Sequence, residues 1–214
     1  MRIMLCGGAG YIGAHTCVEL MGRGHEVVVV DSLVNSSVRA LERIGKITGS
    51  SVAFHQLDVR DKAGMAAIFA EAGFDAVMHF AALKAVGESC ERPLDYFDNN
   101  ISGTISLLKS MQDAGVRRLV FSSSATVYGD PERVPVREDA RLQVTNPYGR
   151  TKLVMEQLIE DLCASDPGFR AANLRYFNPV GAHASGLIGE DPSGTPNNLM
   201  PYICQVAVGL RERL

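Results

Sequence analysis

Cys6-Gly7-Gly8-Ala9-Gly10-Tyr11-Ile12-Gly13 follows the apolar run Ile3-Met4-Leu5 and opens an amphipathic segment over residues 11–20. That order predicts a strand, a glycine turn and a helix. Glycines let the backbone turn tightly and approach a pyrophosphate, whose charge is met by the free N–H groups of a helix N-terminus. The run reads as G-x-G-x-x-G from Gly8, or as G-x-x-G-x-x-G from Gly7. A plain strand-to-helix turn would use the same residues, so the next strand decides between the two. After Gly22-Arg23-Gly24-His25, a helix stop, comes Glu26-Val27-Val28-Val29-Val30-Asp31. Four successive valines suit a parallel strand buried on both faces. Asp31 ends that strand about twenty residues beyond the glycines, where a carboxylate accepts hydrogen bonds from an adenosine ribose. The same charge repels the 2′-phosphate of NADP, so the expected cofactor is NAD.

Working outward, helical and strand patterns alternate. A helix is expected to end near Lys46, followed by a strand over 51–57 and a helix from Asp61 or Lys62 to Ala72. A strand over 75–80, a long helix over 93–114 and a strand over 117–122 come next. Such alternation calls for an α/β fold with a doubly wound parallel sheet. Ligands of these sheets lie outside the carboxyl ends of the strands. There the chain places the glycine turn, Asp31, Asp58, residues 80–84, Ser122-Ser123-Ser124 and Tyr176-Phe177-Asn178.

The 214 residues suffice for one domain, or for one and part of a second. With 46% hydrophobic and 21% charged residues the composition is that of a soluble globular protein. A net charge of −3, from 21 basic and 24 acidic residues in no block, argues against a nucleic-acid surface. Cys6, Cys17, Cys90, Cys163 and Cys204 are odd in number and form no C-x-x-C pair. This predicts a reducing cytoplasm and no structural zinc. The five histidines are equally dispersed, so no metal site is expected. No signal peptide and no membrane-spanning run are expected either.

Chemistry enters at Asn146-Pro147-Tyr148-Gly149-Arg150-Thr151-Lys152. Pro147 suits a first helical position, with Thr145 or Asn146 as cap. Tyr148 and Lys152 then stand four apart on one helix face. A phenol titrating near 10 is a poor base at neutral pH, and an adjacent ammonium favours the phenolate. Ser124, at a strand end, can hydrogen-bond the same substrate oxygen. On an ordinary amphipathic helix the pair would be a surface Tyr and Lys; behind a dinucleotide fingerprint it reads as a catalytic pair.

Six stretches carry a wider likeness: residues 7–15, 79–89, 121–129, 148–152, 174–183 and 196–202. Through them the chain resembles the extended short-chain dehydrogenase/reductase family, in particular its UDP-glucose (UDP-galactose) 4-epimerases. The resemblance implies a Rossmann-type NAD-binding domain over 1–176 and the beginning of a smaller substrate domain over 177–214. It implies epimerisation at C4 of a UDP-hexose through a transient 4-keto sugar, with tightly held NAD. It assigns catalysis to Tyr148, Lys152 and Ser124. Cofactor contacts fall to Gly7, Gly10, Tyr11, Ile12, Gly13, Asp31, Asn35, Ser36, Asp58, Val59, Phe80, Ala81, Lys84, Asn99, Tyr148, Lys152 and Phe177. Sugar-nucleotide contacts fall to Ser124, Tyr148, Asn178, Asn198 and Leu199. A homodimer is implied, through the helices beginning at Pro93 and Pro147. The resemblance does not separate UDP-glucose from UDP-N-acetylglucosamine.

Cys6 stands where such proteins usually have Thr, and Ser32 where they often have Asn. They also continue past the position of Leu214, so a shortened form that binds NAD but turns over poorly is expected. The nearest rival is a nucleotide-sugar 4,6-dehydratase, which shares the first oxidation and then needs an acid and a base beside the serine. Ala125 and Thr126 provide neither, which disfavours dehydration.

Overall fold

The computed structural model describes residues 1–71, 73–191 and 198–214. Six strands form one parallel sheet: β1 (Arg2–Cys6), β2 (Glu26–Asp31), β3 (Ala53–Gln56), β4 (Ala76–His79), β5 (Arg118–Ser124) and β6 (Arg170–Tyr176). Their order is β3-β2-β1-β4-β5-β6, so the winding reverses between β1 and β4. The helices are α1 (Tyr11–Gly22), α2 (Val38–Thr48), α3 (Lys62–Glu71), α4 (Val86–Glu91), α5 (Pro93–Tyr96), α6 (Gly103–Asp113), α7 (Pro147–Ser165) and α8 (Leu199–Ala207). The expected α/β architecture is present.

Side chains alternate across a strand, and both sets are buried here. Met4, Cys6, Val28 and Val30 pack with Met65 of α3, Leu107 and Met111 of α6 and Met155 and Ile159 of α7. Leu5, Val27 and Val29 face the other way, onto Ala14, Cys17 and Val18 of α1 and Ile44 of α2. Two covered faces explain why β1 and β2 are continuous apolar runs rather than alternating ones. Ile188, well beyond β6, joins the α1 side of this core.

Several boundaries differ from the sequence reading. β3 and β4 are shorter, while β5 runs on to Ser124. The expected long helix from Pro93 runs on to Asp113, with a π-helical turn over Phe97–Ser102 between α5 and α6. Such a wide turn is common at functional sites. α4, with Gly87 and Ser89 in six residues, has too little periodicity to be read in advance. Ala72, the expected end of α3, and Pro196, the start of the last resembling stretch, lie outside the described residues.

Candidate active site

At the switch between β1 and β4 the backbones come close enough to need glycine. Gly7 has φ +80°, and a Cβ there would lie 2.5 Å from the Ala81 nitrogen. A Cβ on Gly13 would lie 2.2 Å from the Gly7 carbonyl oxygen, which presses α1 against the turn. Gly10 leads into α1 without a side-chain cap, and the first helical turn carries no acidic residue. That open helix N-terminus fits a dinucleotide pyrophosphate. Asp31, only 6% exposed, accepts from Ala9 N at 3.0 Å, Leu33 N at 2.9 Å and the Ser36 hydroxyl at 2.8 Å. The carboxylate is thus fixed before any ligand arrives, with acceptor capacity left for a ribose hydroxyl.

From this turn a trough of about 1500 Å³ runs along the carboxyl ends of the strands. It exceeds the usual small-molecule pocket of roughly 300–1000 Å³, leaving room for two nucleotides. The expected residues Gly7, Gly10, Tyr11, Ile12 and Gly13 form its floor, and Asp31, Asn35, Ser36, Asp58 and Val59 line one end. Phe80, Ala81, Lys84 and Asn99 lie along the middle; Ser124, Tyr148, Lys152, Phe177, Asn178 and Asn198 also line it. Leu199 does not: it starts α8 with its side chain 65% exposed.

Asp58 is held by Arg60, whose Nη2 donates at 2.6 Å and whose Nη1 reaches Asp98 at 2.5 Å. Arg60, its main partner, holds the Asp58 carboxyl below its ordinary value. Lys84 and Asn198 meet on one oxygen, Oε1 of Glu190, at 3.5 and 2.6 Å. Tyr11 donates to the Gly181 carbonyl at 2.8 Å, fastening the segment after β6 across the glycine turn.

Tyr148 is placed by the start of α7. Asn146 caps the helix by accepting from Gly149 N at 2.8 Å, and Pro147 follows as the first helical residue. The Tyr148 N–H donates to the Ser89 hydroxyl of α4 at 3.2 Å. The Ser124 hydroxyl oxygen accepts from Thr126 N at 3.2 Å and from the Thr126 hydroxyl at 2.9 Å. Its own hydrogen is thereby left to donate into the trough. Burial raises the Tyr148 phenol above its ordinary value, and hydrogen bonding with Ser124 pulls it the other way.

The sequence reading has Lys152 beside Tyr148, and the structure adds that the lysine is itself desolvated. Lys152 is 3% exposed, donates to the Ser122 carbonyl at 2.7 Å, and sits 5.9 Å from the Tyr148 ring centroid. Burial pushes its own ammonium down to about 7, opposed by Glu156. The spacing of two residues on a helix reveals adjacency, but not desolvation.

That burial has a testable sign. The folded value lies below the unfolded one near 10.4, so the stability it contributes is full above the unfolded value and lost as pH falls through about 7. At pH 6 the protein therefore carries a buried ammonium at a cost of about 1.4 kcal/mol per pH unit of difference. This outweighs the one hydrogen bond to Ser122, about 1 kcal/mol. Lys152→Met should melt about 8–15 °C above wild type at pH 6, at about 2–4 °C per kcal/mol for a chain of this size, with the gap narrowing by pH 9. Thermal scans at both pH values check it; a variant that melts lower at pH 6 would contradict it.

Other residues here were not singled out from the sequence. Asn100 is 1% exposed and accepts from Leu83 N at 2.9 Å while donating to the Leu83 carbonyl at 3.0 Å and to Thr151 at 3.1 Å. It pins the loop after β4 to α7. His79 has Nε2 3.0 Å from the Thr104 hydroxyl, and burial pushes it down to about 3, so it is neutral at working pH. Of these only Glu156, four beyond Lys152, carries a spacing that sequence could have used.

The chain matches the NAD dependent epimerase/dehydratase family over residues 3–213. It is 56% identical over 214 residues to UDP-glucose 4-epimerase of Bacillus subtilis, covering 100% of this chain and 63% of that protein. The Dictyostelium discoideum UDP-glucose 4-epimerase is 57% identical, with 100% and 62% covered. Among solved structures, the UDP-glucose 4-epimerase of Stenotrophomonas maltophila, with bound NAD and formylated UDP-arabinopyranose, superposes with a TM-score of 0.97 at 62% identity. It covers 99% of this chain and 63% of that one. The Bifidobacterium longum enzyme, in complex with NAD+ and UDP, gives 0.97 at 50% identity, with 99% and 64% covered. The chain thus spans a little under two thirds of the length of these relatives.

Proposed function

The chain belongs to the NAD dependent epimerase/dehydratase family, and on that basis we propose that it holds NAD and inverts C4 of a UDP-hexose, interconverting UDP-galactose and UDP-glucose. The observation that carries this reading is the convergence of Ser124, Tyr148 and Lys152 on the trough that begins at the glycine turn. When bound, the nicotinamide supplies a reversible two-electron acceptor at the sugar carbon. The rest falls to the chain's own residues.

Residues 1–176 would hold the cofactor, with the pyrophosphate over Gly10 to Gly13 and the adenosine ribose against Asp31. Residues 177–214 would contribute Asn178 and Asn198 to the sugar nucleotide, beside Ser124. Tyr148 as phenolate takes the 4-OH proton, and Ser124 donates to the same oxygen. Lys152 supplies positive charge behind them. Returning the proton from Tyr148 closes the cycle, leaving a 4-keto sugar as the only intermediate. Water elimination would need a proton donor and a base after Ser124. The 3-10 turn there (Ala125–Tyr128) offers Ala125, which has no proton to give, and Thr126, already bonded to Ser124. Mass spectrometry of the product is the test: an isomer of equal mass supports epimerisation, and a product lighter by one water would overturn it.

NAD should bind at least about tenfold more tightly than NADP, because a 2′-phosphate would meet the buried Asp31 carboxylate, a like-charge contact costing several kcal/mol. Titrating both cofactors checks this, and equal or tighter NADP binding would refute it. A homodimer is part of the proposal, through the α5–α6 and α7 helices. It is supported by Leu94 of α5, which projects 82% exposed. A cytoplasmic location is supported by the five unbridged cysteines.

A further inference from the structure

One side chain ties β5, β6, α7 and the turn after Ser124 together. Arg175 of β6 stands opposite Ser123 of β5 in the sheet register. It donates to Glu156 of α7 through Nε at 3.0 Å and through Nη2 at 2.7 Å. The Ser123 hydroxyl donates to the same carboxylate, which is buried. A planar guanidinium gripped at two points is fixed in orientation as well as in position. Its Nη1 then donates to the Tyr128 hydroxyl at 2.9 Å and to the Glu138 carbonyl at 3.2 Å.

Tyr128 ends the 3-10 turn that follows Ser124, and it is buried. Directly after it Gly129 bends the chain at φ +58°, where a Cβ would lie 1.8 Å from the Gln143 carbonyl oxygen. The phenol is therefore held at its hydroxyl and at its backbone. Phe177, two residues beyond Arg175, stacks on this ring, with centroids 6.4 Å apart and planes at 24°. Phe177 is itself 61% exposed, and both rings line the trough. A fixed, buried ring thus backs an open one.

A buried ion pair is a poor device for stability alone, because apolar residues of similar volume often serve as well or better. We propose that Tyr128 and Arg175 are positioning residues for the cofactor: clamped by Glu156, they back the Phe177 ring as a stacking face for the nicotinamide of NAD. This rests on the NAD reading above. In that reading the reacting end of the dinucleotide lies beside Ser124. Ser124 pairs in register with Tyr176, the residue before Phe177. Oxidised nicotinamide is a flat cation, and an aromatic face attracts it. Glu156 neutralises Arg175, so the guanidinium does not oppose that approach. An exposed phenylalanine without backing would have to be ordered on binding, which weakens affinity.

The test compares NAD with ADP-ribose, which carries every part of the dinucleotide except the nicotinamide. In calorimetric titrations the wild-type protein should bind NAD more tightly than ADP-ribose. Tyr128→Leu should cut that preference by about two- to tenfold, the equivalent of about 0.5–1.5 kcal/mol for an aromatic pair, and leave ADP-ribose affinity unchanged. Tyr128→Phe, which keeps the ring, should retain most of the preference. Glu156→Gln/Arg175→Gln, which removes the clamp without stranding a buried charge, should lower it as well. An unchanged preference in folded Tyr128→Leu protein overturns the proposal, as does wild-type protein that binds both ligands equally. So does an equal loss for both ligands, or loss of fold in both the Tyr128→Leu and the double variant, which assigns the network to stability alone. Wild-type protein that binds neither ligand overturns the NAD reading instead.

Discussion

In a chain extended to the full length of its relatives, Tyr148→Phe should lower turnover by about 10²–10⁴-fold while leaving bound NAD in place, the range expected when a general base is removed. The ring is 9% exposed and seated by the Ser89 contact to its backbone and by the Asn146 cap. Phenylalanine preserves that packing and removes only the hydroxyl. In the proposed reaction Ser124 would still donate to the substrate oxygen, but a neutral hydroxyl titrates far too high to take the proton. KM should therefore change much less than kcat. The check is steady-state kinetics beside extraction and quantitation of bound dinucleotide. Turnover within a few-fold of wild type would mean that another group is the base.

Gly13→Ala should abolish dinucleotide binding and lower the melting temperature by about 6–12 °C, whereas Gly22→Ala in the same helix should do neither. At Gly13 an added Cβ meets the Gly7 oxygen at 2.2 Å and the Gly8 Cα at 2.7 Å. Both are backbone atoms of the turn itself, so relief requires prying α1 off β1. Overpacking of that kind costs about 3 kcal/mol or more, and a domain of this size loses about 2–4 °C per kcal/mol. At Gly22 nothing lies within 4 Å, and alanine there gains about 0.5–1 kcal/mol of helix propensity. Differential scanning calorimetry with an NAD titration of both variants separates the cases. Equal behaviour of the two would mean that the turn is not closed by helix–strand contact.

The contrast between these glycines bears on what could be read in advance. The turn, the four valines and Asp31 are legible because each answers a local demand: a tight bend, two buried faces, a carboxylate at a strand end. The doubly wound parallel sheet follows from the alternation, whereas the strand order is seen only in the folded chain. The π-helical turn and α4 are not legible, because neither leaves a periodic signature in six residues. Asn100 escapes notice beside Asn99 because its partners Leu83 and Thr151 lie 17 and 51 residues away. Glu190 joins Lys84 across 106 residues, a contact only the folded chain brings about. Tyr148 and Lys152 were found by spacing, yet their titration is governed by burial, which spacing does not encode. Leu199, placed by likeness among the sugar-nucleotide contacts, lies outside the trough on α8.

The most direct measurement follows the hydrogen on C4. UDP-galactose carrying deuterium at C4 is incubated with the protein and NAD in ordinary water, and the product is read by NMR and mass spectrometry. Tyr148 handles only the hydroxyl proton, so the carbon-bound hydrogen should never meet solvent. The expected product is UDP-glucose of unchanged mass with deuterium still on C4. Deuterium lost to water would contradict the proposed chemistry and point instead to a base acting on the carbon itself.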